Sequence, residues 1–145
     1  MASRAIIDEF LANKRIALMR PSPSKTPAAG KLDEELAPKG YEVEVVYLDR
    51  EDSGRSLAEL AEPVGGVVIA VPAKDSERAV REAIQAGVPR IWLQAGCASK
   101  EAIALCEESN TPTVHGACVL MYAEPVKSVH AFHRGVWKVF GKYAD

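Results

Sequence analysis

A chain of 145 residues with a formal net charge of −2 is sized for one domain around one core, and its 48% hydrophobic content excludes a disordered chain. The near-neutral charge supplies no field for holding nucleic acid, and no apolar run approaches the roughly 20 residues needed to span a bilayer. The three cysteines, Cys97, Cys106 and Cys118, form neither a CxxC pair nor a metal-ligand spacing, so a reducing, cytoplasmic setting is expected.

Ile6, Ile7, Phe10 and Leu11 recur at helical spacing and predict a leading helix, followed by a first strand over Ile16 to Met19. Prolines at 21, 23 and 27 stop both helix and strand, and a second helix is expected from about Ala28 to Lys39, with Gly40 closing it. Val43, Val45, Val46 and Tyr47 read as the second strand, Asp49 to Arg55 as a polar loop, and Ser56 to Ala61 as a short helix.

Val64 to Val71 is nearly continuous apolar sequence, the pattern of a parallel strand covered on both faces, and is expected in the middle of the sheet. The next helix has Asp75 or Ser76 as N-cap, an apolar stripe at Ala79, Val80, Ala83 and Ile84, and Gly87 beyond its end. Arg90 to Gln94 predicts a fourth strand. Ser99 caps a helix carrying Ala102, Ile103 and Cys106, which Asn110 and Pro112 end before a fifth strand at Thr113 to His115.

Strand and helix alternating through short connections predict an α/β, Rossmann-like, three-layer doubly wound domain over residues 1–123, with a five-stranded, mainly parallel sheet. Residues 124–145 extend it. Val129, Phe132, Val136, Val139, Phe140 and Tyr143 lie three or four apart, an amphipathic helix that can pack on its own core, pair with a second copy in a homodimer, or lie on an anionic membrane. His130 and His133 share a helical face there, but the spacing supplies no third ligand and no metal site is expected.

Ligands of such sheets bind at the carboxyl ends of the strands, which selects residues 20–26, 47–49, 71–74, 94–97 and 115–118. The first loop lacks the glycines of G-x-G-x-x-G, so an NAD site of the usual form is not expected. Arg20 and Lys25 with the hydroxyls of Ser22, Ser24 and Thr26 leave two readings open, an anion site built from side chains or a stiff solvated connection. His115 and Cys118, three apart, are the nearest approach to a base beside a nucleophile, against a structural role for a small buried cysteine.

The ordered landmarks IALM at 16–19, Ser22, Leu36 before Gly40 and Tyr41, SLAEL at 56–60, EPV at 62–64, IWLQAG at 91–96 and Cys118 cover nearly the whole chain. In that order they resemble the small bacterial CoA-binding domain proteins, relatives of the CoA-binding part of succinyl-CoA synthetase. The resemblance implies coenzyme A as ligand, with the loop after the first strand at the pyrophosphate, the second strand's end beside the adenosine, and the third and fourth strand ends lining the cleft. Carried over by position, these are Ser22, Tyr47, Val71, Pro72, Gln94 and Gly96. The chain departs from the family pattern with Arg20 in place of a glycine, and with Tyr47 and Leu48 in place of asparagine and proline, which predicts weak CoA binding.

The candidate ligand-binding set is thus Arg20, Pro21, Ser22, Lys25, Tyr47, Val71, Pro72, Gln94, Gly96 and Cys118, with no catalytic residue. The leading reading is a non-catalytic CoA- or nucleotide-binding protein with Arg20 and Ser22 nearest the phosphates. The alternatives are a degenerate CoA-binding fold serving as a protein-interaction module and, third, an enzyme acting on an acyl-CoA.

Overall fold

The computed structural model describes residues 4–23, 32–50 and 54–123. In chain order the regular elements are α1 (Arg4–Leu11), β1 (Arg15–Arg20), α2 (Leu32–Leu36), β2 (Glu42–Tyr47), β3 (Val67–Ile69), α3 (Ser76–Gln85), β4 (Ile91–Gln94), α4 (Lys100–Glu108) and β5 (Thr113–Ala117). The five strands form one parallel sheet in the order β2-β1-β3-β4-β5. The apolar segment expected in the middle of the sheet is therefore its central strand, although the strand itself runs only over Val67–Ile69.

Alternation along the strands sorts side chains to two faces. Leu18, Val68, Trp92 and Val114 form one row across the register, and all four belong to a core layer that also holds Ile7 and Phe10 of α1 and Leu32 and Leu36 of α2. Met19, Ile69 and Leu93 form the neighbouring row and face Ala79, Val80 and Ala83 of α3 and Ala102 and Cys106 of α4. Helices thus cover both faces, the three-layer arrangement expected from strand–helix alternation. Trp92 centres the first layer: it is fully buried, meets Phe10 edge-on at 5.3 Å, and donates its indole N–H to the Ala117 carbonyl at 2.9 Å.

Several local expectations need correction. The segment expected as a helix over 56–61 is a single 3₁₀ turn at Leu57–Glu59, held by a capping box in which Glu59 accepts from the Ser56 backbone N–H. Arg90 lies outside β4, and β5 runs two residues further than expected, with a bulge where Gly116 takes a φ of 78°. Neither Asp75 nor Ser76 caps α3 through its side chain; Ser76 Oγ instead lies 2.8 Å from both the Ala73 carbonyl oxygen and Ser99 Oγ. Ser99 does cap α4, accepting from Ala102 N–H at 3.1 Å. Residues 28–31 of the expected second helix, and the C-terminal segment 124–145 with His130, His133 and the homodimer expectation, lie outside the described residues.

Candidate functional site

The direction in which strands are added to the parallel sheet reverses between β1 and β3, because β2 is laid on one side of β1 and β3 on the other. At such a reversal the connections leave in opposite directions and open a crevice beyond the carboxyl ends of the two strands. Here its walls are Arg20 at the end of β1 with Pro21 and Ser22 beyond it, and Ala70, Val71 and Pro72 after β3. Backbone bonds extend the ladder past the strands on one side: Leu48 N–H donates to the Arg20 carbonyl and Asp49 N–H to the Pro21 carbonyl, both at 2.9 Å. The path of the first loop is thereby fixed to the end of β2.

Arg20 does not project freely into this crevice. Its guanidinium Nη2 lies 2.5 Å from Asp33 Oδ1 in the first turn of α2, and its side chain is only 12% exposed. Ser22 is 3% exposed with its Oγ withdrawn from solvent, so the loop presents Pro21 and backbone rather than a hydroxyl. Lys25 lies outside the described residues. At the end of β2, Tyr47 is half-buried and its ring occupies the place a side chain at Gly54 would need, the Cβ approach being 2.5 Å. Beside it Asp49 pairs with Arg78 of α3 through both carboxylate oxygens, at 2.9 and 3.1 Å.

On the β3 side Val71 is buried and Pro72 exposed, and the chain passes through a short 3₁₀ turn, Ala73–Asp75, into α3. The amino ends of α3 and α4 are tied together by the Ser76–Ser99 contact, which sets the positive ends of two helix dipoles at this end of the sheet. After β4, residues 94–97 make a tight turn closed by Cys97 N–H donating to the Gln94 carbonyl at 2.9 Å, with Gly96 at φ 83°. That positive φ explains the glycine. Cys97 is half-buried, and burial pushes its thiol pKa up despite the opposing influence of the Val71 backbone. Cys97 is thus a cleft neighbour that lay within the selected segment 94–97 but outside the candidate ligand-binding set.

Gln94 and Cys118 are brought together. Gln94 Nε2 donates to Cys118 Sγ at 3.0 Å, and Gln94 Oε1 accepts from Val119 N–H at 3.0 Å. The carboxamide latches the end of β4 to the turn after β5. Burial raises the Cys118 thiol despite N–H groups of Leu120 and Met121 at the sulfur. His115 is paired in register with Leu93, which turns it to the α3/α4 face, while Cys118 packs with the core layer on the opposite face. The base and nucleophile suggested by their spacing are therefore separated by the sheet.

A cavity of about 460 Å³, lined by Leu57, Leu60, Val64, Ala86 and Val88, lies where the chain enters β3 and β4, at the opposite end of the sheet from the crevice. Among the described residues no group of three or more His, Cys, Asp or Glu could hold a metal ion, and no helix is long and apolar enough to cross a membrane.

A parallel doubly wound domain with its crevice at the β1/β3 reversal belongs to the class of α/β domains that take ligands across their strand ends. The chain is a member of the CoA binding domain family, whose sequence profile matches residues 14–124 and so spans all five strands. Solved structures of the same fold include a hypothetical protein from Pyrococcus horikoshii OT3, 24% identical, with a TM-score of 0.70 over 87% of this chain and 92% of that one. A conserved hypothetical protein from Pyrococcus furiosus is 26% identical over 73% of this chain and 96% of that one, with a TM-score of 0.58. A protein from Thermus thermophilus is 20% identical, with a TM-score of 0.62 over 81% of this chain and 93% of that one. Among curated proteins none matches the chain.

Proposed function

We propose that this protein binds CoA, or a related adenine nucleotide, across the carboxyl ends of its strands without transforming it. Membership of the CoA binding domain family over residues 14–124 carries the reading. The switch-point crevice supports the place: the phosphates lie by Arg20 and the loop holding Ser22, the adenosine by Tyr47, and the rest of the ligand along Val71, Pro72 and Gly96. Affinity is weak, because Arg20 already has a carboxylate partner, Ser22 offers no exposed hydroxyl, and Pro21 and Pro23 bring no N–H groups.

The non-catalytic part of the proposal draws on the thiols. Burial holds Cys97, Cys106 and Cys118 above the ordinary thiol range, and among the described residues the one histidine, His115, lies on the face of β5 opposite Cys118.

Isothermal titration calorimetry with CoA tests the reading, accompanied by mass spectrometry of the purified protein after denaturation. The expected result is saturable CoA binding in the micromolar range or weaker. Absence of binding at millimolar CoA, by a protein whose melt shows it folded, overturns the reading and leaves an interaction module in its place.

A further inference from the structure

The ion pair between Arg20 and Asp33 joins the end of β1 to the first turn of α2, at the wall of the crevice assigned above to the ligand's phosphates. Its two side chains are 12% and 30% exposed, so both charges sit partly out of water, where they act on one another more strongly than on the surface. Arg20 is also anchored by its backbone, since its carbonyl accepts from Leu48 N–H. Its guanidinium can only exchange partners near where it stands. Glu34 and Glu35 follow Asp33 directly, so the same turn carries three carboxylates.

A phosphate approaching Arg20 meets a cation whose charge is already answered. The pair sums to zero, and a phosphate oxygen close enough to accept from the guanidinium is brought close to the Asp33 carboxylate as well. Replacing the carboxylate by an isosteric amide would remove Asp33's share of the charge cancellation at the arginine and leave the geometry nearly unchanged.

We propose that Asp33 is an internal counter-ion that competes with the ligand's phosphates for Arg20, and so sets the cleft's selectivity against highly charged ligands relative to the uncharged pantetheine portion. The inference rests on the CoA-type reading of the crevice. Asp33 acts through Arg20 and is a positioning residue. It explains how an arginine can stand at the phosphate loop without making a strong phosphate site.

The test is calorimetry on wild type, Asp33→Asn, Arg20→Ala and the double variant, each with CoA, inorganic pyrophosphate and pantetheine. Asp33→Asn is expected to bind CoA about tenfold more tightly, equivalent to about 1.4 kcal/mol, to gain measurable pyrophosphate binding, and to leave pantetheine unchanged. A merely structural role would move all three probes together. Arg20→Ala should weaken CoA binding by exposing it to Asp33 alone, and the double variant should return towards wild type.

If wild type binds CoA and Asp33→Asn binds it no more tightly, the counter-ion proposal is overturned while the CoA reading stands. If neither binds CoA although both are folded, the reading of the crevice falls and this inference with it. Should Asp33→Asn fail to fold, the wild type still decides: CoA must shift the Arg20 Nε–H resonance as the guanidinium changes partner, and an unmoved resonance in a CoA-saturated sample overturns the proposal.

Discussion

Replacing Gln94 with alanine separates two roles that the sequence could not distinguish, lining the cleft and holding the sheet's last two strand ends together. The carboxamide accepts from Val119 N–H at 3.0 Å and donates to Cys118 Sγ at 3.0 Å. Val119 is fully buried, so truncation leaves a backbone donor with no acceptor from this side chain, a loss of about 1–3 kcal/mol. The bond to sulfur is weak and adds little, which sets the expected destabilisation at about 2 kcal/mol. For a domain of this size that lowers the melting temperature by roughly 5–8 °C. Thermal and urea denaturation followed by circular dichroism measure it, and hydrogen exchange at the Val119 amide should accelerate. Gln94→Glu keeps an acceptor for Val119 and should lose less. If Gln94→Ala melts within about 0.5 kcal/mol of wild type while its CoA affinity falls, the carboxamide serves the ligand and the latch account is wrong.

Gly66→Ala should destabilise the fold by about 1–3 kcal/mol, because a Cβ there would lie 2.6 Å from Phe10 Cε2 and push that ring off Trp92; an unchanged urea midpoint would refute the packing argument. His115 titrates below its ordinary range because burial disfavours its charged form. The unfolded chain therefore takes up the proton first, and stability should fall as pH drops through about 6.5 towards the lower folded value. In His115→Gln the part of that slope due to this group should vanish, and an identical pH profile for the two proteins would contradict the assignment. Iodoacetamide at neutral pH should label Cys118 no faster than Cys97 or Cys106 in the folded protein, since burial raises all three thiols. Preferential capture of Cys118 would mean an activated sulfur.

Where local chemistry and burial agree, the fold was legible. The unbroken apolar stretch through Val67, Val68 and Ile69 announces a strand covered on both faces, and Ser99 before an apolar-periodic run announces a capped helix. The Ser56–Glu59 spacing also carries a capping-box signal, but four residues between two loops close only a 3₁₀ turn. The site was less legible because its decisive contacts join distant positions. Arg20 and Asp33 are thirteen residues apart, and Gln94 and Cys118 twenty-four apart. Nothing in the periodicity of either segment says that they meet. The spacing of His115 and Cys118 suggested a pair, but a bulge at Gly116 and the alternation of β5 put them on different faces.

The central claim, that a CoA-type ligand lies at the β1/β3 reversal, is tested most directly by titrating the isotopically labelled protein with CoA and mapping the amide shifts. Saturable changes are expected at Arg20 and Ser22, at Ala70, Val71 and Ala73, and around Gly96 and Cys97. Shifts confined to Leu57, Leu60 and Val88 at the other end of the sheet, or no shifts at millimolar CoA, would contradict the account.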